Sequence, residues 1–155
     1  MSDTHADTHA EAGTPRHQIT VRPAAADIDE LNHVSNLVYL RWVLEVARSH
    51  SDSRGWDFPA YTQLGAIWVV RRHEIDYAHP AQLGQDITVT TWVEQWKRVS
   101  CVRRTTLVRA SDNRGVCEAA TTWAFVSLTD GRPTRFPDHV REAFTSPDGA
   151  TGGAP

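Results

Sequence analysis

The sequence has no apolar stretch approaching the roughly 20 residues that a membrane-crossing helix needs, and charge interrupts its longest apolar runs. Its opening, MSDTHADTHAEAGTP, carries acids and lacks the apolar centre of a signal peptide. These absences predict a soluble, cytoplasmic protein with no membrane partner. Cysteine is scarce. Cys101 and Cys117 stand in stretches that read as strands, with no CxxC or zinc-type spacing, so a disulfide framework and a metal knuckle are excluded and two buried thiols are predicted. There is no Gly-rich phosphate loop, no GxSxG elbow and no internal repeat. Excess positive charge is missing too: 16 Lys and Arg against 19 Asp and Glu leave a formal net charge of −3, which argues against a nucleic-acid partner and confines any basic contact to a local patch.

What is present is an ordinary globular composition. With 155 residues, 40% hydrophobic and 23% charged, the chain has the size and apolar content for one core. Residues 1–15 are small, polar and acidic, and SPDGATGGAP closes the sequence, so 1–15 and 146–155 read as tails around a working domain of residues 16–145. His5 and His9 lie four apart in the first tail and read as solvated side chains, since no further ligands accompany them.

Inside the domain, HQITVRP alternates Ile19 and Val21 with polar neighbours and stops at Pro23, a short strand. Leu37 to Ala47 (LVYLRWVLEVA) is apolar almost all round, with only Arg41 and Glu45 charged and four apart. This predicts a helix that the rest of the protein covers on most sides. Strands follow over Gly65–Tyr77, from Asp86 (DITVTTWVEQW), over Ser100–Arg109 and over 116–128, and a short helix is expected near Asp138–Phe144. Connections this short exclude parallel crossovers, so the last four strands should be antiparallel, and such a sheet can protect an apolar helix only by curling around it. The expected class is α+β, a curved antiparallel sheet of about five strands wrapped on one long buried helix.

Asp27 to Asn36 (DIDELNHVSN) concentrates hydrogen-bonding side chains just before that helix. One reading makes Asp27, Asp29 and Asn32 turn residues and Ser35 or Asn36 a helix cap. The other notes that the free N–H groups of a helix N-terminus can polarise a carbonyl while a nearby carboxylate attacks it or activates water.

The pattern D-x-D-x-x-x-H-V-x-N-x-x-Y-L-x-W-x-x-E, carried by Asp27, Asp29, His33, Val34, Asn36, Tyr39, Leu40, Trp42 and Glu45, resembles hotdog-fold thioesterases of the 4-hydroxybenzoyl-CoA thioesterase type and their relatives, the plant acyl-carrier-protein thioesterases. Val70–Gly84 (VRRHEIDYAHPAQLG) and Thr121–Pro137 (TTWAFVSLTDGRPTRFP) extend the resemblance to about residues 17–144. It implies a hotdog fold and hydrolysis of an acyl-CoA or acyl-ACP thioester to free acid and thiol. Asp29 matches the catalytic carboxylate, as nucleophile or general base, and the backbone N–H at Asn36 matches the donor to the thioester carbonyl. His33 and the Asn36 side chain fall where polar groups order the carboxylate, water or substrate, whereas Asp27 reads as structural. Tyr39 and Trp42 would line or support the acyl pocket. Lys97, Arg98 and Ser100, in Trp96-Lys97-Arg98-Val99-Ser100 at a strand joint, match the basic contact near the CoA nucleotide, for which a solvated turn is the alternative. No metal or redox cofactor is implied, the CoA thioester being substrate, and a homodimer or homotetramer is.

Two positions depart from the family pattern. Asn32 replaces a common Gly where positive φ is expected, a conformation Asn tolerates. Leu31 stands where the plant enzymes carry a catalytic Asn, and Pro80 near their downstream acid, so a single-carboxylate mechanism is the better analogue. Hydratase or dehydratase chemistry would call for a D-x-N-P-x-H pattern that the sequence lacks; a non-catalytic acyl-CoA-binding module is the remaining alternative. Of the other candidates, His73 and His79 have no metal spacing with Asp29, and Glu74 is expected to pair with an arginine. Arg71 with Arg72, and Arg103 with Arg104, should face opposite sides of their strands. The six Trp residues read mainly as core and subunit contacts.

Overall fold

The computed structural model describes residues 14–147. Residues 1–13 and 148–155, with His5 and His9 and most of both expected tails, lie outside the described residues. Strand β1 (His17–Val21) leads through a 3₁₀ turn (Ala25–Asp27) and the DIDELNHVSN loop into helix α1 (Asn36–Ser53). A short helix α2 (Phe58–Leu64) follows, then β2 (Ala66–Tyr77), β3 (Ile87–Trp96), β4 (Ser100–Arg109), β5 (Arg114–Ser127) and helix α3 (Asp138–Thr145). The strands form one antiparallel sheet in the order β1-β3-β4-β5-β2.

The expected antiparallel pairing holds, but β2 does not neighbour β3. It pairs with β5 from Ala66↔Ser127 to Tyr77↔Cys117, so residues 78–86 carry the chain from one side of the sheet to the other. That connection is anchored at Ala81, which is fully buried. Its N–H donates to Tyr39 Oη at 2.9 Å and its carbonyl accepts from Val34 N–H at 2.9 Å. Bulges between Val70 and Arg72, Val93 and Gln95, and Leu107 and Val108 add local twist, which bends the sheet around α1. The first bulge interrupts the alternation expected at Arg71 and Arg72, and both side chains are exposed.

Helix α1 buries Val38, Tyr39, Trp42, Val43, Val46, Ala47 and His50 against the sheet. Its opposite stripe is open: Leu37 is 76% and Leu44 37% exposed, alongside exposed Arg41, Glu45 and Arg48. The expectation of a helix covered on most sides is thus met on one face only, because an open sheet with two free edges curls over one side of a rod. Two apolar clusters result. One gathers Val34, Tyr39, Trp42, Val89, Leu107 and Val116 around the first half of α1; the other gathers Trp56, Tyr61, Val93, Phe125, Val140 and Phe144 under α2 and α3.

Segment 58–64, assigned to no element from the sequence, is helical for local reasons. The Asp57 side chain accepts from Ala60 N–H at 2.9 Å, Pro59 sits in the first turn, and Gly65 closes the helix at φ +86°. Cys101 and Cys117 are free and buried, as expected, and burial pushes both thiols up to about 12.

Candidate active site

The loop before α1 is tied at both ends. Ile28 bridges Val34, Asp29 N–H donates to the His33 carbonyl at 2.8 Å, and Asn32 N–H donates to the Asp29 carbonyl at 3.0 Å. Asn32 makes the turn at φ +66°, the left-handed conformation expected at the position where relatives carry Gly. The Asp29 side chain folds into this loop: its Oδ1 accepts from Leu31 N–H at 2.9 Å and from His33 N–H at 3.3 Å. Two N–H bonds to one oxygen fix the carboxylate's orientation, and Oδ2 takes no partner among the described residues. Asp29 is exposed in the single chain, and His33 is half-buried.

Six residues after Asp29, Ser35 caps α1. Its Oγ accepts from Leu37 N–H at 3.4 Å, and its carbonyl accepts from Val38 N–H at 2.9 Å. Asn36 opens the helix, so its N–H belongs to the first turn and has no intrahelical acceptor, at the electropositive end of an 18-residue dipole. The sequence therefore brings Asp29, His33 and Asn36 into one loop at a helix N-terminus. The Asn36 carbonyl also accepts from Tyr77 Oη–H at 3.4 Å, which adds the end of β2 to this neighbourhood.

Asp27 plays a different part. Buried at 7% exposure, its Oδ2 accepts from Ala24 N–H at 2.8 Å, its Oδ1 accepts from Arg41 Nη2–H at 3.0 Å, and its carbonyl accepts from Ser35 N–H at 2.9 Å. The Ala24 N–H and the Arg41 guanidinium hold its carboxyl below the ordinary aspartate value, against the opposing effect of burial. Its role is structural: it pins the 3₁₀ turn to α1 and leaves Asp29 at the loop's rim.

The remaining sequence candidates lie elsewhere. Tyr39 is 3% exposed, its hydroxyl taken by Ala81 N–H and its ring edge-on to Trp42 and Tyr77, so it supports the core beneath the loop. Lys97 and Arg98 are exposed in the β3–β4 turn, closed by Lys97 N–H donating to the Ser100 carbonyl at 2.8 Å. Among the described residues neither makes an ion pair. The DIDELNHVSN loop adjoins the start of β3, since Val21 pairs Ile87, whereas Lys97 follows its end; ten strand residues separate the two by about 30 Å. Lys97, Arg98 and Ser100 are thus not brought to Asp29 within one chain. Glu74 pairs with Arg72, and His73 Nδ1 meets Thr121 Oγ1 at 3.0 Å.

A cavity of about 440 Å³ opens along the second half of α1, and neither Asp29 nor Asn36 lines it. Four of the six tryptophans, Trp56, Trp68, Trp96 and Trp123, and the buried Arg103 form part of its wall. Sequence reasoning missed this wall. Alternation on β4 puts Arg103 and Arg104 on opposite faces without saying which turns inward; in the structure Cys101, Arg103, Thr105 and Leu107 face in, and Arg104 pairs outside with Glu94 at 2.9 Å.

The architecture is shared with solved thioesterase structures. A protein assigned as an oleoyl thioesterase from Lactobacillus plantarum superposes with a TM-score of 0.81 at 15% identity over 86% of this chain, which spans about half (51%) of that protein's length. A 1,4-dihydroxy-2-naphthoyl-CoA thioesterase from Synechocystis gives 0.78 at 17% identity, covering 86% of this chain and 98% of that one. A Staphylococcus aureus protein solved in complex with CoA gives 0.75 at 18% identity, covering 81% and 78%. At these identities the likeness is one of fold, the hotdog fold expected from the motif. No curated protein matches the chain by sequence. The thioesterase-like superfamily model matches residues 23–144, from the end of β1 to α3, and the chain belongs to that family.

Proposed function

We propose that the protein hydrolyses an acyl-CoA or acyl-ACP thioester to the free acid and the thiol. The observation that carries this reading is the Asp29 carboxylate, oriented by two backbone N–H groups in the loop that opens α1, whose Asn36 N–H has no intrahelical acceptor. In this reading the thioester oxygen accepts from Asn36 N–H. The Asp29 carboxylate then either takes a proton from water, whose oxygen bonds to the carbonyl carbon, or attacks that carbon itself, in which case loss of the thiolate leaves a mixed anhydride that water hydrolyses to the free acid, restoring the carboxylate. The tetrahedral oxyanion is held at the helix N-terminus until the C–S bond breaks and the thiolate leaves to be protonated. A thioester carbonyl is electrophilic enough that the dipole and the carboxylate, each supplying on the order of 2–4 kcal/mol, suffice. His33 and the Asn36 side chain order the water or the acyl carbonyl.

Lys97 and Arg98, cations with no ion-pair partner among the described residues, bind the phosphates of the nucleotide, with Ser100 beside them. Because they follow the far end of β3 while the Asp29 loop adjoins its start, that contact comes from a second copy, and the working form is a homodimer or homotetramer. The CoA complex of the Staphylococcus aureus relative favours a CoA ester as substrate.

The test is thiol release from a panel of short, long and aromatic acyl-CoA esters. Release with formation of the free acid is expected. A product hydrated across a double bond with the thioester intact would mean hydratase chemistry, and binding with no turnover of any ester would mean a binding module. Joint replacement Lys97→Ala and Arg98→Ala should raise KM for CoA esters more than it lowers kcat; unchanged KM would discard the nucleotide contact.

A further inference from the structure

The cavity along α1 holds a buried positive charge that no carboxylate among the described residues pairs with. It lies between the second half of α1, helices α2 and α3 and the inner face of the sheet, and its wall is largely aromatic, with Trp56, Trp68, Trp96, Trp123, Tyr61 and Phe144. Arg103 reaches this wall from β4 with only 6% exposure. Its Nη1 donates to His50 Nδ1 at 2.9 Å and to Thr91 Oγ1 at 3.2 Å. A guanidinium can only donate, so His50 is the neutral tautomer with its proton on Nε2, and both Arg103 partners are uncharged. The two ionisable groups whose fields also reach Arg103 are uncharged as well, since burial pushes the Tyr61 hydroxyl and the Cys101 thiol each up to about 12. Among the described residues no carboxylate pairs with Arg103.

Such a charge is unfavourable unless an anion joins it. The geometry leaves room for one: the N–H groups on Nε and Nη2 have no acceptor among the described residues, and they form the fork that matches a carboxylate at two points. Two further donors in the same wall, the indole N–H groups of Trp56 and Trp123, are buried without partners.

We propose that this cavity binds an organic monocarboxylate with an apolar aryl or alkyl body, the carboxylate held by Arg103 and the body packed among the tryptophans. The volume, about 440 Å³, falls in the range of small-molecule pockets. A single guanidinium balances one negative charge. The other charged groups lining the cavity, Arg41 and Arg48 against Glu45 and Asp52, offset one another, with Arg41 paired to Glu45 at 3.5 Å, so the lining as a whole carries one net positive charge. The ligand is of the class that thioester hydrolysis releases, yet its binding requires no turnover and does not rest on the hydrolytic reading.

The test titrates the wild-type protein with 4-phenylbutyrate and decanoate, and with their primary amides, following emission of the wall tryptophans. The acids should bind and change the emission, and the amides should bind about 10- to 100-fold more weakly. Arg103→Met, checked for fold by near-UV circular dichroism, should remove the difference; if that variant does not fold, the acid–amide comparison on the wild type decides alone. Equal binding of acid and amide, no binding of either, or tighter binding of phenylphosphonate would overturn the proposal. Asp29→Asn should leave acid binding unchanged, and loss of binding there would place the ligand at the α1 N-terminus instead.

Discussion

Asn32 shows how much a single residue in the loop can reveal. Its φ of +66° is demanded by the turn that folds Asp29 back on its own N–H donors, and its identity already announced that conformation in the sequence. Asn32→Gly should leave stability within a few tenths of a kcal/mol, whereas Asn32→Val should cost about 1–2 kcal/mol in urea unfolding, because a β-branched residue resists left-handed backbone. Asp27 gives the matching electrostatic case. Its folded carboxyl lies below the ordinary 3.8, so the stabilisation is fully present above that pH and is lost as pH falls through the folded value. Asp27→Ala should therefore destabilise near neutral pH, by about 1–3 kcal/mol, and the part of that effect due to the charge should shrink as pH falls below 3.8. Arg103 was not legible in the same way. The sequence showed that Arg103 and Arg104 face opposite sides, but which of them turned inward depended on how β4 sits over α1.

At the scale of elements, the strongest local patterns were legible and the long-range pairings were not. Strand β4 spans the expected Ser100–Arg109, and α3 begins at the expected Asp138, because period-2 alternation and flanking turn residues are local signals. Helix α2 hid in FPAYTQL, too short to show a period, although its Asp57 cap and closing Gly65 were in plain sight. The pairing of β2 with β5 follows from the anchoring of residues 78–86 on Tyr39 and Val34, contacts that no connection length reveals.

The second half of α1 carries a pH signature of its own. Burial, then the nearby Arg103 charge, depresses His50 to about 2 from 6.5, so the folded state stays unprotonated where the unfolded chain takes up a proton. Stability from this group is complete above about pH 6.5 and declines as pH falls, at up to about 1.4 kcal/mol per pH unit. His50→Gln, which keeps an acceptor for Arg103, should flatten this part of the stability profile between pH 6 and 4 in denaturant titrations. An unchanged slope would contradict the buried neutral assignment. On the core side, Leu107→Ala, at a fully buried site, should cost about 2–5 kcal/mol.

For the whole molecule, the decisive fact is that the loop bearing Asp29 and the turn bearing Lys97 and Arg98 occupy opposite ends of one sheet. The sequence showed both motifs but not their separation, which the register of β1 on β3 sets. A complete site on the proposed plan therefore needs two copies. Sedimentation at micromolar concentration should give a dimer or tetramer, and a monomer that retained full turnover would break the link between the basic turn and the acyl site. The exposed start of α1, with Leu37 in water, belongs to the same question of what a second copy covers. The central claim concerns Asp29 itself. Thiol release by Asp29→Asn, measured beside wild type with CoA binding followed in parallel, should fall to background while CoA still binds; full turnover in that variant would contradict the mechanism.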